Sequence, residues 1–204
     1  MATTTFLFVD QVGSTEQLTR LGDADAQEVR RALFHLLRQA TEVAGGHEVD
    51  FTGDGLLCAF DGAAEAVDAA VDMQQLVWSS NGRRPESQRL AVRCGLNSGE
   101  PLASEGGGYF GVAVVVAARL CSAAGAGEVL VSPLVRGLVE PRGVHGFRSV
   151  GQLELKGVPR PVDASAVDWE PDPRRPPVPA VLTPTGTVSP VDDRCAMVRA
   201  GQAC

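Results

Sequence analysis

Two aspartates stand where the chain could do chemistry. Asp10 ends the apolar run Thr5-Phe6-Leu7-Phe8-Val9, and Asp54 lies inside Thr52-Gly53-Asp54-Gly55. A carboxylate at a strand end has a fixed direction, and glycine-rich backbone beside it leaves room for a ligand. Hard divalent cations take oxygen donors and keep part of their water, so two converging carboxylates suit them. A pair of ions held in this way can grip a polyphosphate. Taken singly, an aspartate in a Gly-Asp-Gly turn is ordinary turn chemistry. The assignment therefore depends on what the neighbouring elements bring to the same place.

Those elements can be read from hydrophobic periodicity. Thr5–Asp10 is short, apolar and rich in β-formers, which predicts a buried first strand. Val12-Gly13-Ser14-Thr15-Glu16-Gln17 opens a helix, with Ser14 as its cap and Gln17 completing a capping-box pattern. Leu18, Leu21, Val29, Leu33, Leu36, Leu37 and Ala40 continue one helical stripe, which Gly45-Gly46 stops. His47–Phe51 and Leu56–Phe60, joined by the glycine turn around Asp54, predict a hairpin. Asp61 caps a second helix, and Leu90–Asn97 reads as a strand. A short strand follows near Pro101–Ala103, then a flexible Ser104–Gly108. Val112–Ala123 is apolar on most sides, as expected of a helix in the core or at a subunit interface. Glu128–Ser132 reads as a strand, Pro133–Val139 as a short helix and Gln152–Lys156 as a further strand. This order predicts an α+β domain with a mixed or antiparallel sheet and helices on one face. From Trp169 onward prolines crowd the chain and periodicity fades, which predicts a disordered tail over 169–204.

Composition narrows the function classes. The chain has 204 residues, 44% hydrophobic and 21% charged, as in ordinary globular proteins. Its formal net charge of −7 argues against DNA, RNA or an anionic membrane as a partner. No apolar run approaches the roughly 20 residues that span a bilayer, and Met1–Thr5 lacks a secretory signal pattern. A cytoplasmic location is the expectation. The cysteines Cys58, Cys94, Cys121, Cys195 and Cys204 are odd in number and lack CxxC spacing, so neither a disulfide framework nor a zinc site is expected.

The run Phe6-Leu7-Phe8-Val9-Asp10-Gln11-Val12-Gly13-Ser14-Thr15 resembles the opening of class III adenylyl/guanylyl cyclase catalytic domains. Gly53-Asp54-Gly55 resembles their second metal motif, and Gly95-Leu96-Asn97-Ser98-Gly99-Glu100 their central strand and turn. Tyr109-Phe110-Gly111 through Ala117-Ala118-Arg119-Leu120, with Gly127–Ser132, is similar to their transition-state helix and following strand. Leu155-Lys156-Gly157 is similar to the closing segment. The likeness covers residues 4–168 in the family's order. It implies a ferredoxin-like βαββαβ core and a head-to-tail homodimer with active sites shared across the interface. It also implies conversion of a nucleoside triphosphate to a 3′,5′-cyclic nucleotide and pyrophosphate. Asp10, Asp54 and the backbone carbonyl of Gln11 match the ligands of two divalent cations, Mg²⁺ or Mn²⁺. Amides near Gly13 and Ser14 match the phosphate-binding turn. Arg119 matches the arginine of the transition state, and Lys156 a lysine on the terminal phosphates.

Two positions depart from that pattern. The family's adenine-reading lysine falls three residues before the glycine of the second metal motif, where this chain has Asp50. An ionised aspartate can only accept hydrogen bonds, so it cannot donate to adenine N1. It could accept from guanine N–H groups, from uracil N3–H or from the cytosine amine. The second base-reading position is Gly108, which has no side chain. Val115 replaces the asparagine that orients the ribose, and losing one positioned donor typically costs about 10²–10³ in rate. Single-domain pyrimidine cyclases of antiphage defence are similar in size and also lack the adenine lysine; their product activates a separate effector. The resemblance thus leaves open a guanine or pyrimidine cyclase, and a degenerate domain that binds nucleotide or a partner without catalysis.

Overall fold

The computed structural model of the chain describes residues 3–103 and 108–173. Nearly all of the proline-rich tail, and most of the glycine-rich segment before Tyr109, lie outside the described residues. β1 (Thr4–Gln11) leads through α1 (Ser14–Leu21) and α2 (Asp23–Val43) to the hairpin β2 (His47–Phe51) and β3 (Gly55–Phe60). Then come α3 (Ala63–Asn81), β4 (Val92–Gly99), the small pair β5 (Leu102–Ala103) and β6 (Tyr109–Phe110), and α4 (Val112–Ala123). The chain closes with β7 (Val129–Val131), α5 (Pro133–Val139), β8 (Gly146–Leu153) and β9 (Val162–Asp168).

Seven strands form one sheet in the order β2-β3-β1-β4-β7-β9-β8. The first four strands with their helices are the expected βαββαβ core. Every neighbouring pair in the sheet is antiparallel except β4 with β7. Residues alternate between the two faces along β1. Leu7 and Val9 pack into the larger core with Leu33, Leu37, Val67 and Met73 of α2 and α3. Phe6 points the other way, onto Ala113 and Ala117 of α4.

Helices therefore cover both faces of the sheet, not one. The reason is visible in β1 and β3: all six residues of β3 are buried, and a strand without polar alternation needs cover on both sides. α4 supplies the second cover because its small residues let it lie close. A Cβ on Gly95 of β4 would fall on the backbone of Ala117 and Cys121. Cys58, Cys94 and Cys121 are free and buried, and desolvation pushes the Cys58 and Cys121 thiols up to about 12.

Several local expectations change. The first helical stripe breaks at Gly22 (φ 79°), giving two helices where one was expected. Ser14 is the first helical residue and not the cap; that place belongs to Gly13 (φ 72°), and no side chain caps the turn. Gly62, not Asp61, precedes α3. The expected strand Gln152–Lys156 is shifted: β8 ends at Leu153, and Lys156 lies in the turn before β9. The pairing of β8 with β9 was not expected. Polar residues interrupt both segments, so their periodicity is weak.

Gly95→Ala should force α4 off the sheet. Overpacking of a rigid backbone contact typically costs about 1–3 kcal/mol. Denaturant unfolding should show a lower midpoint with an unchanged slope.

Candidate active site

The register of β1 brings the two aspartates together. Asp10 lies directly opposite Gly55 of β3, so Asp54 sits at the next position of the turn. The ideal Cβ position of Gly55 lies 2.8 Å from Thr52 Oγ1 and 3.7 Å from Asp10 Oδ1, so a side chain there would crowd Thr52 in the turn beside the carboxylate. Gln11 N donates to Asp54 O at 2.9 Å, tying the turn to the end of β1. Gly53 (φ 95°) makes that turn possible without strain. The hairpin is held from behind by α2: Phe51 packs edge-on to Phe34 with ring centroids 4.8 Å apart. Arg38 makes two hydrogen bonds to Glu48, at 2.6 and 3.1 Å.

Ser14 belongs to the same place, because its hydroxyl donates to Asp54 Oδ2 at 3.2 Å. Gly13 opens α1 in a left-handed conformation with no side-chain cap. The first amides of a helix have no intrahelical acceptor and carry the positive end of its dipole. They face the region of Asp54 and form a natural anion seat. Beside them is a cavity of about 640 Å³ lined by Gln11, Ser14, Gly53, Asp54, Gln27 and Arg30 among others.

Arg93 is the functional neighbour that sequence reasoning missed. It stands opposite Asp10 on β4, and its Nε and Nη2 donate to Asp10 Oδ2 at 2.8 and 2.6 Å. Its Nη1 donates to the Ser122 carbonyl of α4 at 3.1 Å. One guanidinium thus fixes the first carboxylate and links it to the helix on the far face. Only strand pairing reveals this, since the two residues are 83 positions apart. A charged residue inside the otherwise apolar strand Val92–Leu96 was the available signal.

The two aspartates fit a pair of hydrated divalent cations, though the residues present do not make a complete cage. No group of three or more His, Cys, Asp or Glu side chains forms a metal cluster among the described residues. Arg93 engages only one Asp10 oxygen and Ser14 only one Asp54 oxygen among the hydrogen bonds just described, so each carboxylate keeps a free oxygen. Gln11 is buried, and its Oε1 has no partner among the described residues. Mg²⁺ keeps several waters and takes substrate phosphates as ligands, so such an open donor set suits it.

The remaining predicted residues lie elsewhere. Arg119 is exposed on α4, and its Nε donates to the backbone carbonyl of Lys156 at 3.0 Å, so these two do come together. Lys156 lines a different cavity, with Glu154 and Arg160. No hydrogen bond or shared cavity joins Arg119 or Lys156 to Asp54 among the described residues. Asp50 is exposed on the edge strand β2, just after a bulge, and its Oδ1 accepts from Phe51 N at 2.8 Å. Gly108 borders open space before β6. Val115 is 37% exposed on the same helix as Arg119.

A βαββαβ core with two aspartates beside the start of α1 is the arrangement that the resemblance to cyclase catalytic domains implies. The family model for the adenylate and guanylate cyclase catalytic domain matches residues 1–165. The chain belongs to that family. It is 31% identical over 160 residues to a putative adenylate cyclase 3 of Rhizobium meliloti, covering 76% of this chain. It spans only 26% of that relative's length. An adenylate/guanylate cyclase/hydrolase from Silicibacter pomeroyi superposes with a TM-score of 0.70 at 30% identity, covering 81% of this chain and 95% of the other. The adenylyl cyclase CyaB from P. aeruginosa does so with a TM-score of 0.69 at 26% identity, covering 85% and 95%. No helix among the described residues is long and apolar enough to cross a membrane.

The Arg93–Asp10 pair should show coupling in a double-mutant cycle. Both side chains are partly exposed, at 31% and 24%, so the interaction energy should be about 1 kcal/mol, above that of a free surface pair. Unfolding of Arg93→Ala, Asp10→Ala and the double variant measures it; strict additivity would contradict the assignment.

Proposed function

We propose that this domain is a homodimeric, divalent-metal-dependent nucleotide cyclase whose active sites form between two copies. The adjacency of Asp10 and Asp54 beside the uncapped start of α1 carries the reading. Arg119 and Lys156 match the family's other half-site, and one chain holds them apart from the aspartates. Leu102, Phe110, Val112 and Val115 are exposed large hydrophobics on or beside α4, as a subunit interface would require.

In this reading the amides at Gly13 and Ser14 seat phosphate oxygens, and Arg93 keeps the Asp10 carboxylate aimed. When bound at Asp10, Asp54 and the Gln11 carbonyl, Mg²⁺ or Mn²⁺ would lower the pKa of the ribose 3′-hydroxyl and neutralise the leaving pyrophosphate. Arg119 of one copy meets the charge that builds on the α-phosphate, a task suited to a fixed charge with forked donors. Lys156 holds the terminal phosphates. Asp50 accepts hydrogen bonds from the base, which favours guanine, uracil or cytosine over adenine. Phe51 N already donates to Asp50 Oδ1, which leaves Oδ2 and one lone pair of Oδ1 for the base. The cyclic product would act as an intracellular messenger on a separate effector, as in antiphage systems.

Val115 favours a second reading, a nucleotide-binding regulator without turnover, because valine cannot orient a ribose. Incubation with each of the four ribonucleoside triphosphates and Mn²⁺ decides between them. A 3′,5′-cyclic product from at least one is expected; thermal stabilisation by nucleotide without product would support the regulator. Asp54→Ala and Arg119→Ala should each abolish turnover without disturbing the dimer. Mixing the two inactive variants should recover part of the rate through sites built from one intact half of each. No recovery in a demonstrated mixed dimer would rule out the shared site.

A further inference from the structure

The cavity beside Asp54 extends away from the aspartates toward α2, and this extension has no role in the site as described. Arg30 lines it, with Gln27 three residues earlier on the same helix. Among the described residues lining the cavity Arg30 is the only cation. It is exposed, and no hydrogen bond or ion pair occupies it among the described residues. A guanidinium beside an anion seat, with its donors unspent, is an arrangement that waits for an oxyanion.

A second observation comes from the cavity's inner wall. Gln11 is only 4% exposed. Its Nε2 donates to Gln17 Oε1 at 2.6 Å, and its Oε1 has no partner. If both amides were turned over, the unpaired atom would be Nε2 instead. Either way one buried polar atom of a residue in the cavity wall lacks a partner among the described residues, a cost that the fold carries at this wall. The two acids of the lining, Asp23 and Asp54, would repel a free polyphosphate. One that arrives with its cations meets Asp54 as a ligand and Arg30 as a counter-charge.

We infer that Arg30 is a substrate-contacting residue supplied by the copy that carries the metal aspartates. Its guanidinium binds the terminal phosphate of the nucleoside triphosphate and, after cyclisation, the released pyrophosphate. In that step the ribose 3′-hydroxyl gives its proton to water, and its oxygen bonds to the α-phosphorus while the bond from that phosphorus to the bridging oxygen breaks. The pyrophosphate departs with the bonding pair and its charge, which Arg30 offsets. Gln27 adds amide donors beside it. The assignment rests on the cyclase reading for the identity of the polyphosphate.

The test compares Arg30→Ala, Arg30→Lys and Arg31→Ala in the full chain. Arg31 is the matched control, because it is exposed on the same helix but does not line the cavity. Pyrophosphate binding is measured by titration calorimetry in Mg²⁺ buffer. Arg30→Ala should weaken it about tenfold or more, the scale of a lost charged hydrogen bond. Arg30→Lys should keep part of the affinity, and Arg31→Ala should stay within about twofold. In steady state Arg30→Ala should raise KM for the nucleotide by more than it lowers kcat. Equal effects from Arg30→Ala and Arg31→Ala, or no pyrophosphate binding by the unaltered chain, would overturn the inference. If cyclic product forms normally while Arg30→Ala binds pyrophosphate unchanged, only the inference falls. If no triphosphate is cyclised but Arg30→Ala alone loses pyrophosphate, the cyclase reading falls and Arg30 remains a polyphosphate ligand.

Discussion

β1 is hydrogen-bonded along both of its edges, to β3 and to β4, and covered on both of its faces. A slip of one residue against either neighbour would turn Leu7 and Val9 out of the main core and Phe6 into it. The packing of α2, α3 and α4 therefore locks the register. That register also sets the site: it puts Asp10 opposite Gly55 on one side and opposite Arg93 on the other. Core packing and carboxylate placement are one constraint, which explains why the acid that chemistry needs can be held at the end of an apolar strand.

The hairpin depends on the same strand. Gln11 N reaches the carbonyl of Asp54, while Phe34 and Arg38 hold β2 against α2. The turn bearing Asp54 is thereby fixed from two directions, and Ser14 adds a third contact through its hydroxyl. Rigid placement of this kind matters for electrostatic catalysis, because preorganised groups need no rearrangement as charge develops. The proposed base-reading position is built differently. Asp50 sits on the edge of the sheet after a bulge, exposed and bonded only to the next residue's amide. An edge strand can tolerate a change of residue there without disturbing the core, which gives a physical route to altered base choice on an unaltered frame.

α4 joins the two halves of the problem. Its inner face packs on β1, β3 and β4 through alanines, and Gly95 allows the approach. Its outer face carries Val112, Val115 and Arg119. A helix buried on one side and apolar on the other is unfinished as a monomer surface. In the proposed homodimer a second copy would cover it and bring Arg119 and Lys156 to the aspartates.

The sequence by itself determined the elements with strong periodicity and tight punctuation. β1, the Gly53-Asp54-Gly55 hairpin, α4 and α5 lie where pattern and turn chemistry put them. The order of motifs pointed to the family. Asp10 and Asp54 were legible because a strand end and a glycine turn are local features. What needed tertiary structure was everything set by pairing between distant segments. The grip of Arg93 on Asp10, the pairing of β8 with β9, the second layer formed by α4 and the separation of Arg119 from the aspartates are of this kind. So is the turn of Ser14 from helix cap to Asp54 donor. Local preference offered Ser14 the start of α1, but left-handed Gly13 took that role, and the nearby carboxylate gave the hydroxyl a charged acceptor. Spacing along a chain records which residues can share a face; only the register between strands decides which faces meet.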